Sequence, residues 1–175
     1  LIRNGNFLGG TPEAPGFLPE GWDSAWVAGG MVVNYDVPPA GGGIPGKAAR
    51  FGVVAGGDGR NLVQRVQGSD RKAASLSFWY MTSNGSSTAD AVQVIVSNTA
   101  GSTNIRNLLL PGTKGAWRFY PANEDPCTVT IEEGATSPYW SVQIGSVANP
   151  PVTQDLSFAG VELADGTRPQ NFRPS

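Results

Sequence analysis

Short apolar-polar runs, each closed by Gly, Pro, Asn or Ser, recur along the chain, and no stretch between them carries a helical period. They read "AWVAGGMVVNYDV", "AARFGVVA", "RNLVQRV", "AASLSFWYMT", "AVQVIVS", "TNIRNLLL", "GAWRFY", "CTVTIEE", "YWSVQIGS" and "LSFAGVEL". In "SLSFWYM", Leu76, Phe78 and Tyr80 share one phase, and Ser77, Trp79 and Met81 share the other. In "AVQVIVS", Val92, Val94 and Val96 stand against Gln93, Ile95 and Ser97. A period of two predicts strands. Strands of this size, divided by turn signals, predict an all-β sandwich or barrel. Near the end the phase slips: Leu156 and Phe158 fall on one side, Val161 and Leu163 on the other, and Gly160 lies between them. A β-bulge is expected there.

The 24 Gly and 14 Pro supply the turns, while five Trp, seven Phe and four Tyr are too much apolar bulk for a disordered chain. A length of 175 residues suits one domain. Trp22, Phe51, Leu76 and Phe78 are expected in its core. At Trp79 and Ile95 the second face of a strand is apolar too, so it needs covering by loops, a partner subunit or a ligand.

The net charge is −2 and the twelve Lys and Arg are scattered, which leaves no concentrated basic footprint for nucleic acid. No apolar run approaches the roughly 20 residues of a membrane-spanning helix, so membrane insertion is not expected. The chain begins at Leu1 with neither Met nor a charged-then-apolar leader, and is expected to be a piece of a longer protein. Cys127 stands alone, so no disulfide framework is expected, and its place is a buried apolar one.

The sequence has no His, which removes the commonest general base, the usual activator of Ser and Cys, and the commonest zinc ligand. The closest acid pairs, Glu124 with Asp125 and Glu132 with Glu133, lie in or beside turns and read as solvated. An enzyme is therefore not expected. "AGGGIPG" and "AGGDGR" read as hairpin or rim loops, because neither has a P-loop ending that leads into a helix. Asp58, or Glu124 with Asp125, could contribute oxygens to calcium, but a lone acid in a glycine turn more often forms the turn. No metal or cofactor is expected from the residues themselves.

Sugar binding fits the composition better. It needs aromatic rings against pyranose C–H faces and polar groups for the hydroxyls. Trp79, Tyr35 and Trp140 are the aromatic candidates, chosen from a set that also holds Trp26, Trp117 and Tyr139. Arg50, Arg65, Gln64 and Gln143 are the polar ones, with Gln93 close by in the pattern. About half or more of such aromatics belong to cores. Trp79 is favoured as a surface residue because the other face of its strand is already assigned.

"LIRNGNF" with "PEGW", then "AARF" with "NLVQRV", "SLSFWYMTSNG", "GAWRFY" and "LSFAGVELADG" resemble, in order and spacing, the galactose-binding-domain-like jelly roll of carbohydrate-binding modules. The resemblance implies a jelly-roll sandwich of two antiparallel sheets over residues 1–163, with 164–175 as an extended tail. It also implies that the opening turn lies beside the closing strand, bringing Ile2 and Phe7 near Val161 and Leu163. Members of that family often carry a structural calcium. The positions that match its carboxylates hold Leu8, Ala159 and Gly160 here, so that site is not expected.

The tail "VELADGTRPQNFRPS", with Glu162, Asp165, Gly166, Pro169, Phe172, Arg173 and Pro174, is similar to the ending of modules on bacteriophage tail fibres. That similarity implies a non-catalytic receptor-binding domain of a homotrimeric virion appendage, assembled in the bacterial cytoplasm. Its partners would be host surface polysaccharide and other virion proteins. Two other roles fit the same fold: an assembly or decoration module of the virion, and the sugar-binding module of a secreted polysaccharide-degrading enzyme.

Overall fold

The computed structural model describes residues 2, 5–7, 18–24, 33–36, 44, 46–67, 73–84, 90–97, 105–122, 125, 127–130 and 139–166. Of residues 24, 34–36, 67, 105, 129, 130, 139, 140 and 165 it describes the backbone only. These residues contain strands and turns and no helix. In chain order the strands are β1 (Asp23–Ser24), β2 (Asn34–Asp36), β3 (Ala48–Val53), β4 (Asn61–Gln67), β5 (Ala73–Thr82), β6 (Asp90–Ser97), β7 (Ile105–Pro111), β8 (Arg118–Tyr120), β9 (Cys127–Thr130), β10 (Tyr139–Ser146) and β11 (Gln154–Asp165).

They form two antiparallel sheets, as expected. The five-stranded sheet runs β1-β4-β10-β6-β7, and the six-stranded sheet runs β2-β3-β11-β5-β8, with β9 also paired to β5. Each of the pairs β3/β4, β5/β6 and β10/β11 splits between the sheets, which is how a ribbon of strands winds into a jelly roll. The last two strands are the middle ones: β10 lies between β4 and β6, and β11 between β3 and β5.

The alternation read from the sequence sets the core. Leu76, Phe78 and Tyr80 of β5, Val92, Val94 and Val96 of β6, and the predicted Trp22 and Phe51 are all buried. Phe78 sits at the centre, with ring centroids 5.2 Å from Tyr120, 5.9 Å from Tyr80 and 6.1 Å from Phe158. Removing a ring so enclosed costs about 3–5 kcal/mol. The Tyr120 hydroxyl donates to the Asp125 carbonyl at 2.6 Å, so this ring is buried without stranding its polar end.

The bulge falls where the phase slips. β11 changes register on β5 between Ala159 and Glu162, and Gly160 takes a φ of 56° there. The slip keeps Leu156 and Phe158 before it, and Val161 and Leu163 after it, on the core side. The opening turn docks at this point, with the Val161 N–H donating to the Gly5 carbonyl at 2.9 Å. Ile2 and Phe7 pack into the same core. β11 continues to Asp165, two residues past the expected domain boundary; residues 167–175 of the expected tail lie outside the described residues.

Two latches join separate elements. Thr82 and Thr113 exchange bonds, each backbone N–H donating to the other's hydroxyl, at 2.9 and 2.7 Å. Arg106 on β7 donates from Nε to the Thr128 carbonyl on β9 at 3.1 Å, which ties one sheet to the other at their edges. Cys127 is buried and unpaired, and burial pushes its thiol up to about 11.

Candidate functional site on the sheet faces

A two-sheet sandwich offers two outer faces, and here they differ. On the five-stranded sheet, alternation turns Leu62, Val66, Val142, Ile144 and the β6 valines inward, so the residues between them face out. Register then sets those residues in rows across the strands. One row runs Val63, Gln143, Ile95, Asn107; the next runs Asn61, Gly145, Gln93, Leu109. Arg65 begins a third row with Ser141 and Ser97. Asn61 Nδ2 donates to Gln143 Oε1 at 3.4 Å, and Gln93 Nε2 donates to Asn107 Oδ1 at 3.1 Å, so amides from adjacent rows pair diagonally. Arg65, Asn107 and Leu109 are exposed, and Val63, Gln143, Gln93 and Ile95 are half-buried. The rows thus present amide groups alternating with apolar patches across about 4.8 Å strand spacings.

The outer face of the six-stranded sheet is mostly closed. Ser75, Ser77, Ser157, Ala159 and Ala48 face away from the core, yet all are buried. Trp79 is half-buried among them, opposite Ala159 on one side and Phe119 on the other. Its ring centroid lies 5.2 Å from that of Phe119, tilted by 53°. Arg50 Nη1 lies 3.7 Å from the Asp155 carboxylate on the same face. Glu162, opposite Ser77, has its carboxyl pushed above the usual range by burial.

The residues predicted for a site therefore do not gather in one place. Arg65 and Gln143 lie on the five-stranded face, and Arg50 and Trp79 lie on the six-stranded one. Gln64 joins neither: it shares the core phase with Leu62 and Val66, is 4% exposed, and donates from Nε2 to the Gly21 carbonyl at 3.0 Å, fixing the turn before Trp22. Tyr35 pairs with Ala49 and Trp140 with Val66, and their side chains lie outside the described residues. Glu124 also lies outside them; Asp58 and Asp125 are exposed in loops. Among the described residues no three Asp, Glu or Cys side chains come together to hold a metal ion. Asn61, Asn107, Phe119 and Glu162 were not singled out for a site, because what marks them is a neighbour across the sheet rather than along the chain.

No protein-family model and no curated protein matches this sequence. Solved structures do. A xylan-binding domain of Paenibacillus barcinonensis Xyn10C, CBM22-1, is similar over 92% of each chain, with a TM-score of 0.54 and 13% identity. The fold is the jelly roll of carbohydrate-binding modules. The enzymatically active domain of bacteriophage CBA120 tailspike protein 4 contains a similar jelly roll, matching 94% of this chain with a TM-score of 0.64 and 11% identity. This chain spans about a fifth of that one, 21% of its length. A cyclase from Fischerella sp. TAU, solved with 4-(1H-indol-3-yl)butan-2-one, matches over 97% of this chain and 98% of its own, with a TM-score of 0.61 and 12% identity. The jelly roll thus serves binding modules and enzymes alike, and function has to be argued from the faces.

Proposed function

We propose that this jelly roll is a non-catalytic carbohydrate-binding domain, and that it takes an extended glycan chain on the outer face of its five-stranded sheet. The observation that carries the reading is the pair of amide rows. An amide keeps both donor and acceptor capacity after one bond is made, as Gln93 and Asn107 do here, and a sugar hydroxyl is also both. The exposed Arg65 beside these rows, and the apolar Val63, Ile95 and Leu109 between them, add a charge-assisted donor and surface for C–H faces. The likeness to a xylan-binding domain supports the reading.

The likeness to a phage tailspike, together with the fibre-like tail of the sequence, supports a finer version. In it the domain is the receptor-binding part of a tail fibre or similar virion appendage, homotrimeric, contacting host surface polysaccharide. The test is a glycan array that includes bacterial lipopolysaccharide and capsule fragments, with the solution mass measured alongside. Saturable binding that the double variant Gln93→Ala, Gln143→Ala weakens by about tenfold or more, with melting unchanged, is the expected result, since each lost hydrogen bond is worth about 0.5–1.5 kcal/mol. A well-folded trimer that binds no glycan would move the weight to the assembly role, with Leu109, 47% exposed on the edge strand β7, as part of an interface.

A further inference from the structure

On the five-stranded face one amide row ends at a pair of opposite charges. Asp23 on β1 stands opposite Val63 on β4, so it joins the outward row of Val63, Gln143, Ile95 and Asn107. Arg65 is two residues further along β4, which makes it the diagonal neighbour of Asp23 on the same face, about 7–8 Å away by sheet geometry. Both side chains are exposed, and among the described residues neither is engaged in a hydrogen bond or an ion pair.

Arg65 is the one cation that the described residues of this sheet turn outward. Arg106 on β7 is in the core phase, opposite Val96, and its Nε is bonded to the Thr128 carbonyl on the other sheet. Arg60, just before β4, donates from Nη1 to the Gly52 carbonyl on β3. Asp90, exposed at the start of β6, adds a second acid rather than a second base. A lone guanidinium would suit a sugar carboxylate, which it can grip through two bonds. With Asp23 diagonal to it, a carboxylate seated on Arg65 comes within about 8 Å of a negative charge, inside the screening length of physiological salt. A hydroxyl meets no such repulsion: it accepts from Arg65, and it donates to the Asp23 carboxylate, which only accepts.

We infer that Asp23 and Arg65 together set the substrate class of this face: a neutral glycan, read at one end through hydroxyls held between the carboxylate and the guanidinium. Uronate-bearing and other acidic chains are turned away by Asp23. This selectivity rests on the glycan reading of the face, to which it adds Asp23 as the discriminating residue. The amides pair equally well with neutral and acidic sugars, so they cannot make the choice. Repulsion of the wrong ligand can.

The test takes the whole 175-residue chain and oligosaccharides paired by charge: tetramers of mannose, galactose and glucose, each beside the tetramer whose C6 is a carboxylate, with neutral and acidic capsule fragments added. Calorimetry runs from about 0.05 to 0.5 M NaCl, which shortens the screening length about threefold. Neutral glycans are expected to bind, and to lose less than about twofold across that range. Arg65→Gln should weaken them about fivefold. Asp23→Asn keeps the shape and an acceptor, so neutral binding should change by no more than about threefold. The same variant should bind the acidic counterparts at least about fivefold more tightly than the wild type at low salt, a gain that fades as salt rises. A wild type that prefers the acidic member of each pair, or an Asp23→Asn variant with unchanged charge preference, overturns the selectivity and leaves the glycan face standing. Absence of binding by every glycan, neutral or acidic, removes the glycan face and the selectivity together.

Discussion

Gly5 and Val161 meet backbone to backbone, so closely that a Cβ on Gly5 would collide with the Val161 carbonyl while the Val161 N–H is bonded to the Gly5 oxygen. Both atoms belong to main chain, and neither can turn aside. Gly5→Ala is therefore expected to destabilise the fold by about 1–3 kcal/mol or more, as overpacking does. A thermal melt would read this as a fall of several degrees, at about 2–4 °C per kcal/mol for a chain of this size. Gly56→Ala meets nothing within 4 Å and pays only for its φ of +68°, so it makes the matched control.

Glu162 makes stability depend on pH. Burial raises its pKa in the folded state, so between the usual carboxylate range and that raised value the folded protein holds a proton that the unfolded chain has released. Stability is full below the unfolded pKa and falls as pH rises through the folded one. Glu162→Gln should flatten this fall, gaining on the wild type at neutral pH and not at pH 4. Urea midpoints across that range would show it, and parallel curves for the two proteins would contradict it.

Thr82 and Thr113 act as one unit. Thr113→Val strands the buried Thr82 N–H, and Thr82→Val removes the acceptor for the Thr113 N–H. Each is expected to cost about 1–3 kcal/mol. Since the two bonds link the same two segments, the double variant should lose clearly less than the sum of the singles in a double-mutant cycle.

Cys127 should be nearly inert while the protein is folded. With its pKa near 11, the thiolate is scarce at pH 8, and the buried sulfur offers little access. A disulfide reagent should react at least about a hundredfold more slowly with native protein than with protein in guanidinium. Equal rates would mean that this edge of the six-stranded sheet opens readily.

The runs along β5 and β6 were legible because a period of two is a local property, and the phase slip at Gly160 showed through for the same reason. Burial was harder to read than phase. Ser75, Ser77 and Ser157 lie in the outward phase, where a serine reads as solvated, yet they are buried. Gln64 misled in the opposite way: a polar residue in a strand suggested a ligand contact, and it is the Gly21 carbonyl that draws it inward. The amide rows depend on which strands are neighbours. Asn107 becomes a partner of Gln93 only once β7 registers on β6, and nothing near either residue in the chain says so.

The central place of the last two strands has a consequence for synthesis. Before β10 and β11 emerge from the ribosome, the five-stranded sheet can exist only as β1/β4 and β6/β7, and the six-stranded one only as β2/β3 and β5 with β8 and β9. The strands that will flank each centre then have open edges that invite pairing with another chain. A product truncated before Tyr139 would lack not one edge strand but the middle of both sheets, and a nascent chain of this design commits to its fold only once β10 and β11 have been made.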